Sequence, residues 1–109
     1  MIELITIITP ARNAGNALLE AAESVLTQSY INWEWIVVDN GSTDGSIETL
    51  KKTFSDPRIK FLSEEEEGVS KARNKGMAHM GGSFLCFLDA DDRLPENSLS
   101  SRLEVLKND

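Results

Sequence analysis

Two rhythms of apolar residues alternate along the chain. Short β-branched or aromatic runs (Leu4 to Thr9, Trp33 to Val38, Arg58 to Leu62 and Phe84 to Leu88) predict strands, the first ended by Pro10 and the third set off by Pro57. Between them apolar residues return at helical intervals. Ala17, Leu18, Ala21, Ala22, Val25 and Leu26 share one face of a predicted helix with Asn13 as N-cap, and Ile47, Leu50 and Phe54 mark a second. Val69, Ala72, Gly76 and Met80 line a third, stopped by Gly81 and Gly82; Leu99, Leu103 and Leu106 form the inner face of a last helix with Pro95 in its first turn.

Alternating strands and helices imply βαβ units. Because the strands are apolar on both faces, the expected fold is α/β: a doubly wound, mostly parallel sheet with helices on both faces. Ligands of such sheets bind beyond the carboxyl ends of the strands. The polar clusters fall there: TPARN after the first strand, DNGSTDG after the second and DADD after the fourth. Three segments distant in sequence should therefore meet on one rim.

Composition narrows the partners. The chain has 109 residues, enough for one domain, and 18 acidic against 11 basic side chains, a net charge of −7. That balance argues against a nucleic acid held through its phosphates and favours a metal cation. The single Cys86 cannot form an internal disulfide and reads as a small core residue in a reducing compartment. No apolar run approaches the ~18 residues of a membrane span, so the expected location is cytoplasmic, with contact to the inner face of the membrane left open.

The stretch FLCFLDADDRLP runs from an apolar strand into Asp89, Asp91 and Asp92. Crowded carboxylates raise each other's pKa unless a cation sits among them, and hard oxygen ligands at this spacing suit Mg²⁺ or Mn²⁺. The competing reading is a turn whose aspartates cap a helix, a role that suits Asp92, just ahead of Pro95. Spacing alone leaves both open.

Four segments resemble the signature elements of the family 2 glycosyltransferases of the GT-A fold. TPARN resembles the opening P-x-x-N, VVDNGSTDGS the V-D-D-G-S-x-D element, GVSKARNKG the G-x-S-x-A-R-N-x-G helix, and FLDADD the DXD motif. Their order makes the likeness specific, and it covers nearly the whole chain. The resemblance implies a nucleoside-diphosphate sugar donor, usually a UDP-sugar, bound with Mn²⁺ or Mg²⁺, for inverting transfer to a sugar or lipid-linked acceptor in polysaccharide biosynthesis. It makes Asp91 the metal ligand proper and sets Asp89 at the ribose or a metal-bound water. Pro10, Ala11 and Arg12 would lie along the base, where relatives often carry an aromatic in place of Arg12. Asp39 and Asn40 occupy the paired acidic positions, and the Asn40 amide could accept from the uracil N3–H and also donate to a carbonyl. Arg73 would pair with the DXD carboxylates or approach the phosphates.

Departures from the pattern and rival readings are equally visible. Glu66 and Glu67 stand where Asn and Gly are common and are expected to turn to solvent, and His79 reads as a bystander on the third helix. A receiver domain would carry acidic residues after the first strand, and a dinucleotide-binding fold would need G-x-G-x-x-G there; TPARN fits neither. A non-catalytic sugar-nucleotide-binding module remains compatible. In the family the general base is a carboxylate beyond the DXD segment. Here Glu96, Glu104 and the terminal Asp109 are the only carboxylate side chains after Asp92, and Glu96 and Glu104 are expected to face away from the reacting carbon. The chain therefore reads as residues 1–109 of a donor-binding part truncated before its acceptor site, inactive alone and inclined to self-associate through an uncovered sheet edge.

Overall fold

The computed structural model describes residues 2–107. Asp109, one of the carboxylates named above, lies outside them. Eight elements follow in order: β1 (Ile5–Ala11), α1 (Ala17–Leu26), β2 (Trp33–Asp39), α2 (Ser46–Thr53), β3 (Ile59–Ser63), α3 (Val69–Ala78), β4 (Phe84–Phe87) and α4 (Ser98–Lys107). The strands form one sheet in the order β3-β2-β1-β4, and every neighbouring pair is parallel. The sheet thus grows one way from β1 through β2 to β3 and then returns to the other side of β1. That reversal opens a crevice between the carboxyl ends of β1 and β4.

Strand alternation divides the core. Ile5 and Ile7 of β1 and Trp33, Trp35 and Val37 of β2 face α1, α2 and α4, meeting Leu18, Val25, Leu50, Leu99 and Leu103 in one buried cluster. Ile8, Ile36 and Val38 point the other way and pack on Ala72 of α3. The buried Trp35 indole N–H is paired, donating to Thr9 Oγ1 at 2.8 Å. The approach of α3 to the sheet depends on Gly76, where a Cβ would sit 2.7 Å from Ile8 Cγ2. Cys86 is buried as expected; burial pushes its thiol pKa up, partly offset by the Arg102 guanidinium beside it.

Several local expectations are corrected. β1 runs through Pro10 to Ala11. Pro10 shares its backbone direction with Ile8, whose carbonyl accepts from Leu88 N–H, and β4 has ended by that point, so no ladder bond is lost there. Asn13 does not cap α1, whose N-cap is Asn16. Pro95 precedes α4 in a turn, its carbonyl accepting from Ser98 N–H at 2.9 Å. Leu106 is half exposed, because the α4 stripe outruns the described layer it packs on, leaving a groove of about 440 Å³ beside Val105 and Leu106. Leu85 and Phe87, in register with Thr6 and Ile8, share the α3 face of the sheet but are 36% and 42% exposed, since α3 lies over β1, β2 and β3. Among the described residues, the α3 face of β4 is accordingly only partly covered.

At the amino end of the sheet Glu34 is buried on the α3 face. It accepts from Lys60 Nζ at 2.7 Å, Thr6 Oγ1 at 2.6 Å and Gly81 N–H at 2.6 Å. Burial alone would push its carboxyl pKa up, but the hydrogen bonds from Lys60, Thr6 and Gly81 together outweigh it and hold the group below its ordinary 4.5. With the folded pKa below the unfolded one, this stabilisation is present above about pH 4.5 and fades as pH falls through the folded-state value. Glu34→Gln should cost about 1–3 kcal/mol near neutrality. Thermal melts from pH 7 to about pH 3 should show the gap between the two proteins narrowing in acid, with the slope contributed by Asp44 and Asp56, also held low by hydrogen bonds, common to both.

Candidate functional site

The loops leaving the four strands are sewn together side by side. After β1 the chain turns at Asn13, whose φ of 50° is a left-handed conformation that asparagine tolerates better than most residues. Its amide oxygen accepts from Thr43 N–H at 2.7 Å and its own N–H donates to Ser42 Oγ at 3.1 Å. Asp44 completes the seam: Oδ2 accepts from Gly15 N–H at 3.0 Å, and Oδ1 accepts from the Ser46 hydroxyl and N–H at the start of α2. These bonds, the Ser46 hydroxyl foremost, keep the Asp44 carboxyl below its ordinary pKa. Asn13 is therefore a stitch between two loops, which explains why its cap-like sequence context did not lead to a cap.

Asn40 organises the loop after β3. It is buried, its Nδ2 donates to the carbonyls of Glu64 at 2.9 Å and Glu66 at 2.8 Å, and its Oδ1 accepts from Gly68 N–H at 3.0 Å. The acidic run is an arch held over the end of β2. Both amide hydrogens are spent on it, so the expected donation from Asn40 to a base carbonyl is corrected; only an oxygen lone pair remains for a ligand. Glu66 and Glu67 are exposed, yet each has a partner: Lys71 at 3.0 Å and Arg12 at 3.1 Å.

After β4, a turn in which Asp92 N–H donates to Asp89 O at 3.0 Å gathers Asp89, Asp91 and Asp92 so that one carboxylate oxygen from each lies within 4.8 Å of the others. Asp92 belongs to this cluster and does not cap α4, which starts only at Ser98. Arg73 reaches across from α3, its Nη2 3.4 Å from Asp89 Oδ1 and its guanidinium 5.2 Å from the Phe87 ring centre. Arg73 Nε is buried without a partner. One guanidinium beside three exposed carboxylates leaves excess negative charge. The donor set, hard oxygens facing solvent with space around them, fits Mg²⁺ or Mn²⁺.

Two hollows open along this rim. The larger, about 530 Å³, lies between Pro10, Arg12, Asn13 and Ala14 after β1, Val69 and Arg73 on α3, and Asp89, Ala90 and Asp91 after β4. The smaller, about 210 Å³, is bounded by Ala11, Asn40 and Gly68 and shares Pro10, Arg12 and Val69 with the first. A volume of this order accommodates a small ligand. Of the residues nominated from sequence, Pro10, Ala11, Arg12, Asn40, Arg73, Asp89 and Asp91 meet here, whereas Asp39 lines neither hollow and accepts from Ser42 N–H at 2.8 Å. Val69, placed from sequence on one side of the third helix with Ala72 and Gly76, is 53% exposed at the mouth, whereas those two are buried. Its position directly after Gly68, where α3 begins, was the available signal.

An acidic rim at the switch point of a parallel sheet, beside a cleft with an arginine on either side, marks the usual ligand-binding end of an α/β protein. The family is settled by comparison: the model for glycosyl transferase family 2 matches residues 6–109, and the chain belongs to that family. WfgD of Escherichia coli, a UDP-Glc:alpha-D-GlcNAc-diphosphoundecaprenol beta-1,3-glucosyltransferase, is 39% identical over 107 residues, covering 96% of this chain and 42% of that protein. Among solved structures, residues 1–349 of S. aureus TarS in complex with UDP-GlcNAc superpose with a TM-score of 0.87 at 25% identity, covering 95% of this chain and 31% of that one. The mannosyltransferase PcManGT of Pyrobaculum calidifontis, in complex with GDP-Man and Mn²⁺, gives 0.75 at 29% identity, with coverage of 84% and 28%. The chain thus spans less than half the length of the curated relatives it matches. Among the described residues no helix is long and apolar enough to cross a membrane.

Asn40→Ala would strip three bonds from the arch at once. The expected result is a loss of about 1–3 kcal/mol in stability and faster amide exchange at Gly68. The check is hydrogen exchange read residue by residue, with the strands of the sheet as internal reference.

Proposed function

We propose that this chain is the donor-binding part of an inverting glycosyltransferase, taking a nucleoside-diphosphate sugar, in the first place a UDP-sugar, together with Mn²⁺ or Mg²⁺. The observation that carries the reading is the juxtaposition of the Asp89, Asp91 and Asp92 carboxylates with the arginine-lined hollow. The family assignment and the nucleotide sugars bound by TarS and PcManGT support it. Asp91 and Asp89 would hold the metal, which supplies charge neutralisation to the departing diphosphate.

The protein's own groups have separable tasks. Arg73, part-exposed on the wall of the hollow with its Nη2 toward Asp89, is suited to a phosphate oxygen through its terminal nitrogens. Arg12 would lie flat on the base once released from Glu67, an exposed pair worth at most about 1 kcal/mol. The free lone pair of Asn40 Oδ1 would accept from a base N–H such as uracil N3–H. Transfer proceeds by in-line attack of an acceptor hydroxyl on the anomeric carbon, the bond to the diphosphate oxygen breaking as the new glycosidic bond forms, with inversion. The proton of that hydroxyl passes to a carboxylate outside this segment, since Glu96 and Glu104 are exposed away from the cleft. The acceptor is a sugar or lipid-linked sugar, and its platform likewise belongs elsewhere.

Three measurements test this. In calorimetry Asp91→Asn should weaken UDP binding in Mn²⁺ by tenfold or more and leave uridine binding unchanged; equal effects on both would remove the ligand role. UDP and dTDP should bind about tenfold more tightly than CDP, because the cytosine N3 acceptor would face the Asn40 oxygen unpaired, and equal affinities would take base reading away from Asn40. Incubated with UDP-glucose, UDP-galactose, UDP-N-acetylglucosamine or dTDP-rhamnose, Mn²⁺ and acceptors, the 109-residue chain should release diphosphate only at background rate. Sustained metal-dependent transfer would place a base within these residues.

A further inference from the structure

The carboxylate cluster sits on irregular backbone, between the end of β4 at Phe87 and the start of α4 at Ser98. What fixes it is a question of how the two ends of that segment are held. Upstream, Leu88 N–H closes on Ile8 O at 3.0 Å, the last rung beside the sheet. Downstream, no strand is available, and the polar anchoring comes from α1 and the turn after it, with the buried Gln28 side chain making the most contacts.

Gln28 is 4% exposed and lies against the segment that follows the cluster. Its Nε2 donates to Pro95 O at 2.7 Å, with a longer contact to Leu94 O at 3.4 Å, and its Oε1 accepts from Leu99 N–H at 3.1 Å. Leu99 belongs to the first turn of α4, where N–H groups lack an intrahelical partner, so Gln28 caps that helix from a distance of 71 residues in sequence. Ser24, one helical turn earlier, adds a bond from Leu94 N–H to its Oγ at 3.0 Å, and Ser29 N–H donates to Glu96 O at 3.0 Å. Leu94 and Leu99 are buried in the core beneath.

The geometry points to Gln28 as a positioning residue for the metal ligands: it fixes the downstream end of the Asp89–Asp92 turn, and through it the mutual placement of the carboxylates. This inference rests on the metal-binding reading above. A buried amide that both donates and accepts can hold the segment in one register; the apolar anchors Leu94 and Leu99 alone resist removal from the core but not a small slide or rotation. Substituting Gln28 should leave the chain folded and widen the distribution of carboxylate positions, a loss felt by an ion that needs close to octahedral oxygen geometry more than by the nucleoside. Groups that orient metal ligands typically account for about 10–100-fold in metal affinity, and the indirect connection here suggests the lower end, roughly tenfold.

The experiment uses the full natural chain and compares wild type, Gln28→Met, Gln28→Asn and Glu34→Gln. Glu34→Gln serves as the control for stability loss at the opposite end of the sheet. Mn²⁺ titrations in saturating UDP, uridine binding without metal and thermal melts are recorded for each. Gln28→Met should weaken Mn²⁺ roughly tenfold with uridine affinity unchanged, while Glu34→Gln lowers the melting temperature without moving the Mn²⁺ titration. Gln28→Asn, which keeps both polar functions on a shorter arm, should fall between wild type and Gln28→Met and provides the readout should the methionine variant fold poorly. A Mn²⁺ response of the Gln28 variants no larger than that of Glu34→Gln overturns the positioning role alone. A wild-type protein whose UDP binding ignores Mn²⁺ overturns the metal reading, and this inference with it.

Discussion

A parallel sheet has to satisfy the backbone groups of its central strand on both sides, and in this chain that burden falls on β1. Ile5 to Ala11 pair with β2 along their whole length, while β4 reaches only from Ile5 to Ile8. The last residues of β1, without a strand on their β4 side, are therefore where the sheet opens, and Pro10, which has no N–H to satisfy, occupies that place. Everything chemically interesting lies around this shortfall: the turn at Asn13 on one side, the carboxylates after β4 on the other, and the hollow between them. Had β4 run two residues further, Asp89 would have been drawn into the ladder.

The rim is organised by amides more than by charges. Asn40 and Gln28 each use both ends of a side-chain amide, and Asn13 its amide oxygen together with its own backbone N–H, to join segments far apart in sequence: the arch after β3, the approach to α4, and the β1 and β2 loops respectively. An amide can donate and accept at once without the desolvation cost of burying an ion. The ionic pairs, Arg12 with Glu67 and Lys71 with Glu66, are by contrast exposed and weak. Rigid amide seams with yielding ion pairs at the mouth suit a cleft that must keep its floor fixed while a ligand displaces its lip.

The alternation of apolar runs and helical repeats was enough to foresee all eight elements, the parallel sheet and the convergence of the polar clusters, because those depend on periodicity and on one-dimensional order. What escaped depends on partners distant in sequence. Nothing near Asn13 distinguishes a cap from a stitch to Thr43; the difference lies thirty residues away. Gln28 carries no local motif at all. Val69 and Leu106 sit at helical intervals that promise burial, but periodicity assigns a face and cannot say where the layer beneath that face stops. Phe87 and Leu85 teach the same lesson for β4, whose apolar run implied two covered faces although α3 packs mainly over the other three strands.

The tight seat of α3 on β1 has a consequence for how such a sequence can change over time. Gly76 rests against Ile8 with no room for a methyl group, and Arg73, which reaches Asp89, lies one turn earlier on the same helix. A drift to alanine at position 76 would lift the helix and carry the arginine with it, unless a smaller side chain had already replaced Ile8. The two positions can be exchanged in only one order. A residue with no part in the chemistry thus sets the route by which the lineage can alter the reach of one that borders it.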